Sequence, residues 1–263
     1  MKGYLYYSSI EAKRNYAFIE DLQQHAKSAG ISLQLIVDDE QPSEGADFVL
    51  FRDRTPALAY KWESMGHRVI NRSQVNEIAN DKLKTYEFVS LLGIRSVPTK
   101  KLRTIDEIDS YPVVLKSVDG YGGNNVYLCH SRQEALDVST QNPQLQFIYQ
   151  PFIETNAQDV RVFMLGDEVL GAVKRTGVQS FKSNFTLGGT VEKYCLSYDQ
   201  VTEVQQIARA LKSDYIGIDF LLRPDGSWLL NEIEDPVGAR SLYVTHDFSV
   251  AEKLIAYIMN TLK

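Results

Sequence analysis

The chain has 263 residues, 44% hydrophobic and 24% charged, the balance of a folded protein long enough for one large domain or two to three small lobes. A net charge of −6 and a pI near 5.3 argue against nucleic acid or anionic membrane as partner, although a local basic cleft would not show in that sum. No apolar run reaches the length of a membrane span and MKGYLYYSSIEAKRNYAF lacks an apolar signal core, so a cytoplasmic protein is expected.

Cys129 and Cys195 form no CxxC pair and read as small packed residues. His25, His67, His130 and His246 have no metal-ligand spacing and read as surface or capping residues.

Residues 1 to about 75 alternate strand and helix: GYLYYS, an amphipathic helix from Glu11 to Ala29 ended by Gly30, ISLQLIV, ADFVLF, a short helix around Leu58 to Met65, and RVIN. This pattern predicts a small α/β lobe with a mostly parallel sheet. Arg52-Asp53-Arg54 follows the strand DFVLF, where such sheets bind ligands, but a surface charge cluster is the favoured reading. No GxGxxG follows the first strand, which excludes the dinucleotide fingerprint.

A helix is expected from about Val75 to Leu92, capped by Gly93, with Lys82 and Lys84 near its middle. GIRSVPTKKL then runs extended through Pro98. Strands are expected at Val113 to Ser117 and Val126 to Cys129, with Asp119-Gly120-Tyr121-Gly122-Gly123 between them. Three glycines in four positions leave backbone N–H groups unshielded, as a loop laid over phosphates requires; a flexible hairpin turn is the alternative. Lys116, at the end of the strand before the loop, can reach an α- or β-phosphate as a point charge.

A helix from Arg132 to Ser139 leads to a strand, Phe147 to Gln150, broken by Pro151. DVRVFMLGDEVLGAVKR reads as two strands about Gly166-Asp167-Glu168, with Asp159, Arg161, Lys174 and Arg175 near their outer ends, where charged residues are usually solvated. The polar, glycine-rich SFKSNFTLGG follows, then a helix from about Tyr198 to Lys212. The closing segment Phe248 to Lys263 places Val250, Leu254, Ile258 and Leu262 at helical spacing to cover the sheet.

The stretch YIGIDFLLRPDGSWLLNEIEDPVG, Tyr215 to Gly238, predicts a β-hairpin. With Pro224 to Ser227 as its loop, Arg223 opposes Trp228 and Asp219 opposes Glu232, with Glu234 one step further on the same face. That face would also carry Leu221, Trp228 and Leu230 as partial cover. Opposed like charges destabilise a hairpin unless a cation or water compensates them. A solvated acidic face and a Mg²⁺ or Mn²⁺ site both satisfy the spacing, and the second calls for a phosphate source elsewhere in the chain.

Taken in order, a lysine helix, a lysine strand with a glycine loop, a Q-x-x-I hinge, a D-x-R strand, a K-S-N loop and an acidic hairpin resemble the ATP-grasp enzymes. The stretches NDKLKTYEFVSLLGIRSVPT, VVLKSVDGYGG, DVRVFMLGDEVLGAVKR and FKSNFTLGG resemble those of the RimK-like α-L-glutamate ligases; the likeness runs from about Asn71 onward and is looser before it.

The resemblance implies an α/β (α+β) ATP-grasp fold with an N-terminal α/β lobe over 1–78, a lid subdomain over 79–149 and a metal-binding subdomain over 150–263. It implies ATP and two Mg²⁺ (or Mn²⁺) ions as cofactors. Lys82 and Lys116 would contact the phosphates, under the loop of Gly120, Gly122 and Gly123. Gln150, Pro151, Phe152 and Ile153 would form the adenine hinge, Asp159 would lie near the ribose, and Lys182, Ser183 and Asn184 would form a further nucleotide contact loop. Asp219, Glu232 and Glu234 would hold metal, and Arg161, Arg175 and Arg240 would fix a carboxylate or the transferring phosphoryl group.

The implied activity joins a carboxylate to an amine through an acylphosphate, with small molecules or a peptide or protein tail as partners and a homo-oligomer left open. A nucleotide-responsive binding protein without ligase activity and a small-molecule kinase are the alternatives. Two departures stand out: Pro151 replaces a usual acid, and Glu232-Ile233-Glu234-Asp235-Pro236-Val237-Gly238 differs from the family's E-V-N-x-S-P-G, which leaves the added amino acid open.

Overall fold

The computed structural model describes residues 1–177 and 189–262. The N-terminal lobe contains β1 (Lys2–Tyr7), α1 (Ser9–Arg14), α2 (Tyr16–Ser28), β2 (Ser32–Val37), β3 (Phe48–Phe51), α3 (Pro56–Ser64) and β4 (Val69–Ile70). Its strands pair parallel in the order β2-β1-β3-β4, as the alternation of strand and helix predicts. The single helix expected over Glu11 to Ala29 is two. At Asn15 the carboxamide donates to Glu11 O at 2.8 Å, competing with the backbone and closing α1.

The expected helix over Val75 to Leu92 is likewise two, α4 (Ser73–Ala79) and α5 (Lys82–Leu91). Asp81 separates them and caps the second by accepting from Lys84 N at 3.1 Å. Lys82 therefore opens a helix instead of sitting mid-helix, and it is buried.

A second sheet holds β5 (Lys100–Lys101), β6 (Val113–Ser117), β7 (Val126–Cys129) and β8 (Phe147–Pro151), with α6 (Arg132–Gln141) packed beside them. Its order is β5-β8-β6-β7 and its pairs are antiparallel. Pro151 does not break β8 but ends it, paired with Val113, a position where a missing N–H costs little. Cys129 is buried here as expected, whereas Cys195 is exposed.

The third sheet is antiparallel, with order β11-β10-β9-β12-β13. It comprises β9 (Gln158–Leu165), β10 (Glu168–Thr176), β11 (Thr190–Lys193), β12 (Tyr215–Leu222) and β13 (Trp228–Glu234). Helices α7 (Tyr198–Leu211), α8 (Arg240–Thr245) and α9 (Val250–Thr261) complete the described chain. No helix among the described residues is long and apolar enough to cross a membrane.

The two faces of this sheet have different partners. Val160 and Val162 of β9 and Ile218 and Phe220 of β12 pack under α4, α5 and α7, with Val75, Tyr86, Val89 and Ile207. The opposite face begins apolar at Phe163, Val173 and Tyr215, where α9 and the N-terminal lobe cover it. His67, expected at the surface, is buried at 9% exposure.

Candidate active site

Alternation along the third sheet carries that second face from apolar to charged. On β9, Phe163 is followed by Arg161 and Asp159; on β10, Val173 by Arg175; on β12, Gly217 by Asp219. Asp219 lies opposite Arg161 on one side and Glu232 on the other, so a single rung brings the predicted acids to the predicted arginine. A Cβ on Gly217 would stand 2.6 Å from Val237 and 3.5 Å from Arg161, so glycine leaves room for the guanidinium stem.

The hairpin register reaches this rung by a different route from the one predicted. Leu222, not Arg223, opposes Trp228, and the turn closes through Arg223 N to Ser227 O at 2.8 Å. A one-residue bulge at Asn231 then restores the Asp219–Glu232 pairing. The loop, Arg223 to Ser227, is one residue longer than expected, and that change and the bulge cancel at the acids but not before them. Trp228 therefore stacks on Phe220 at 3.8 Å, in the core with Leu230, and neither covers the acidic face as expected.

Asp219 is almost wholly buried. Arg161 donates to both of its oxygens, at 2.7 and 2.6 Å, and Arg175 adds a third bond at 2.8 Å. Arg175 also grips Asp159 in a two-bond fork of 2.6 and 2.7 Å, and Arg161 reaches Glu234 at 2.5 Å. Burial pushes the Asp219 carboxyl up, but the two guanidinium groups outweigh it and hold the group at about 2. Glu234 is raised: burial dominates, Arg161 works against it, and the neighbouring Asp219 and Glu232 add to the rise. The expectation that Asp159, Arg161 and Arg175 are solvated is overturned, because each finds an ion-pair partner inside the sheet. Lys174, only partly exposed, pairs with Glu192 at 2.5 Å.

Oxygen atoms of Asp219, Glu232 and Glu234 all lie within 4.8 Å of one another, without cysteine or histidine among them. That donor set fits a hard divalent cation such as Mg²⁺.

Beside the acids opens a cleft of about 800 Å³ between the second and third sheets. Lys82, Lys116, Gly120, Gly123, Asp159 and Glu232 all line it. Lys116 Nζ donates to Asn231 Oδ1 at 2.7 Å, and Lys82 Nζ donates to Gly120 O while standing 3.9 Å from Glu232. Burial lowers the Lys116 ammonium to about 8; Glu232 raises it and Lys82 lowers it further. A Cβ at Gly120 would stand 2.2 Å from Ser117 Oγ and 3.1 Å from Asn124 O, so a side chain there would force Ser117 to turn away. Gly122 and Gly123 hold positive φ values of 65° and 79°.

Gln150, Pro151, Phe152 and Ile153 form the far wall. The Gln150 side chain donates to Tyr86 Oη at 2.6 Å and Thr99 Oγ1 at 2.7 Å. Pro151 has no N–H, and the Phe152 N–H bonds Pro112 O at 3.1 Å, so Ile153 is the hinge's remaining N–H. Lys182, Ser183 and Asn184 lie outside the described residues.

A second chamber, of about 1410 Å³, adjoins the acids on the side of the N-terminal lobe. Arg14, Arg52, Arg54, Arg161, Arg175 and Arg240 line it. The three predicted arginines thus meet in one space, joined by three that sequence reasoning did not assign. Arg52 is 4% exposed and donates to Val237 O at 2.5 Å, so the surface-cluster reading of Arg52-Asp53-Arg54 is corrected. The available signal was its place just after β3 of a parallel sheet. Asn231 was also missed; a bulge leaves no mark in hydrophobic alternation this short.

Residues 78–258 match the family model of the RimK-like ATP-grasp domain. The chain belongs to the RimK-like ATP-grasp family. Among relatives of this ATP-grasp ligase, an uncharacterized protein of Mycoplasma pneumoniae is 28% identical over 92% of this chain and 86% of its own. A probable alpha-L-glutamate ligase of Picosynechococcus is 29% identical over 77% of this chain and 70% of its own. In fold, the RimK domain ATP-grasp protein from Sphaerobacter thermophilus matches with a TM-score of 0.76 at 19% identity, over 98% of this chain and all of that one (100%). The acidic rung, the lysine cleft and the arginine chamber therefore stand within an ATP-grasp fold, in a family that uses ATP and Mg²⁺.

Proposed function

We propose that this ligase activates a substrate carboxylate with ATP and passes the acyl group to an amine. The carrying observation is the position of Asp219, Glu232 and Glu234 on the partition between a lysine-lined cleft and an arginine-lined chamber. ATP lies in the cleft, with adenine against Ile153 and the phosphates between Lys82, Lys116 and the glycine loop. The substrate carboxylate enters from the chamber and attacks the γ-phosphate, giving an acylphosphate and ADP; an amine then displaces phosphate to form the amide.

The three acids hold Mg²⁺, which when bound neutralises phosphate charge and aligns the attack. Two ions fit the charge balance. Asp159, Asp219, Glu232 and Glu234 already face four cations, Lys82, Lys116, Arg161 and Arg175, and two divalent ions offset the added triphosphate. Arg161 and Arg175 hold the acids in place and present fixed positive charge at the partition, where guanidinium recognises carboxylate or phosphoryl oxygen. Closure of the glycine loop over the phosphates keeps water from the acylphosphate.

In this reading 1–78 supplies part of the chamber, 79–149 the lid and 150–263 the metal platform, with Lys182, Ser183 and Asn184 as a further nucleotide loop. Glutamate is one candidate for the added amino acid, by analogy with the Picosynechococcus relative. Incubation with Mg-ATP and a library of amino acids and small carboxylates, followed by ADP release and product mass, tests the proposal. A condensed product with ADP supports it, a phosphorylated product that persists indicates a kinase, and tight ATP binding without turnover on any substrate sinks both.

A further inference from the structure

The glycine loop touches both spaces. Asn124 N donates to Tyr121 O at 3.1 Å and closes a turn whose two inner residues, Gly122 and Gly123, hold positive φ. That turn displays the Tyr121 side chain, 47% exposed, where it lines the cleft and the chamber alike. The Arg54 guanidinium meets it there, 4.0 Å from the ring centre.

Arg54 comes from the N-terminal lobe, and its base is braced. Asp53 Oδ1 accepts from Arg54 N at 2.7 Å and from Thr55 Oγ1 at 2.5 Å, just before α3, and Asn76 donates to Asp53 O at 2.8 Å. The same Asn76 carboxamide donates to Asp235 Oδ2 at 2.9 Å, and Asp235 directly follows the acid Glu234. Burial pushes the Asp235 carboxyl up, and the charges of Arg52 and Arg54 act on it in the opposite sense. Arg54 thus has a counter-charge within the protein, and its planar face is left to serve an aromatic ring. On the other side of the turn, Lys82 Nζ donates to Gly120 O. The loop is therefore pinned at two adjacent residues, Gly120 from α5 and Tyr121 from the N-terminal lobe.

We infer that Arg54 and Tyr121 are a positioning pair that clasps the glycine loop to the N-terminal lobe, with the Tyr121 ring as the movable part of the wall between cleft and chamber. Its purpose rests on the ligase reading: a clasped loop shields the acylphosphate from water. The clasp itself does not depend on that reading. One cation on one ring face shifts the balance between open and closed loop by only a few fold, enough to favour closure and still let nucleotide leave.

Chymotrypsin, which cuts after accessible aromatic residues, can test the clasp on the full chain. The fragment ending at Tyr121, followed by mass, should appear about fivefold faster in Arg54→Gln than in the wild type, the scale of one cation–π contact, while Arg54→Lys stays nearer the wild type. Titration calorimetry with Mg-ADP then separates a clasp from two independent contacts. Tyr121→Ala and Arg54→Gln should each weaken Mg-ADP about fivefold. Tyr121→Phe, which keeps the ring, should bind like the wild type, and the double variant of Tyr121→Ala with Arg54→Gln should be no weaker than either single one.

Unchanged cleavage at Tyr121 in Arg54→Gln, Tyr121→Phe as weak as Tyr121→Ala, or single losses that multiply in the double variant would each overturn the inference. If the wild type binds no Mg-ADP, or releases no ADP from Mg-ATP on any substrate, the ligase reading sinks and the chymotrypsin rates alone decide the clasp.

Discussion

The cleft and the chamber share one wall of carboxylates yet use different cations. In the cleft the charges are lysines held lightly, Lys116 by one carboxamide oxygen and Lys82 by one carbonyl and a Glu232 carboxylate 3.9 Å away. In the chamber wall they are arginines locked in two-bond forks, Arg161 on Asp219 and Arg175 on Asp159. A lysine is a point charge on a flexible stem that can follow a phosphate, whereas a planar guanidinium fixes the geometry of what it holds. The structure thus separates a compliant half from a rigid half, and each should fail in its own way.

The rigid half should show the largest effect. Asp219→Ala removes three buried charge-assisted bonds and leaves Arg161 with Glu234 and Arg175 with Asp159, one carboxylate fewer than the two guanidinium groups need, and we expect a loss of about 3–5 kcal/mol of stability in urea unfolding. A loss under about 1 kcal/mol would mean that the forks are not in place. Glu232→Gln probes the shared wall without touching a fork, since Glu232 is only partly buried and its cation stands 3.9 Å away. Turnover should fall by roughly 10²–10³-fold while the unfolding midpoint barely moves; near-normal activity would refute the metal assignment.

In the compliant half, Lys116→Met should weaken ATP binding by roughly ten- to a hundredfold with little change in stability. Its ammonium sits at about 8 in the free protein, so it is charged below that pH and loses its proton above it. Phosphate favours the charged form, so at roughly pH 9 nucleotide binding should weaken and take up a proton. Calorimetry in two buffers of different ionisation enthalpy reads that uptake; its absence at high pH would place the phosphates elsewhere. The same lowered value means that the unfolded chain binds more protons between pH 8 and 10.5, so this group's contribution to stability rises with pH across that window. Smallest of all, Gly120→Ala crowds Ser117 and should weaken ATP binding about fivefold.

Most of the architecture was legible in the sequence. Strand and helix alternation gives the parallel lobe, and the period-2 pattern of β9 and β12 places Asp159, Arg161 and Asp219 on one face. What escaped the sequence was set by local competition or by distant contact. Asn15 and Asp81 cut helices whose apolar spacing runs on unbroken, because a side chain there satisfies backbone groups. Charges at strand ends read as solvated because their partners lie on other strands: Arg175 is 16 residues from Asp159 but 44 from Asp219. Arg52 reaches Val237 across 185 residues, a contact that no window of sequence contains.

The bulge at Asn231 works like a gear tooth shared by two wheels. Its extra residue turns Glu232 and Glu234 to the acidic face after Trp228 and Leu230 have turned into the core, while its side-chain oxygen takes Lys116 and its carbonyl takes the Tyr86 hydroxyl at 2.5 Å. Removing that one residue would rotate the carboxylates out of mesh and in the same movement release the lysine that meets the nucleotide. Metal platform and nucleotide cleft are therefore timed by a single irregularity in one strand, and neither can slip without the other.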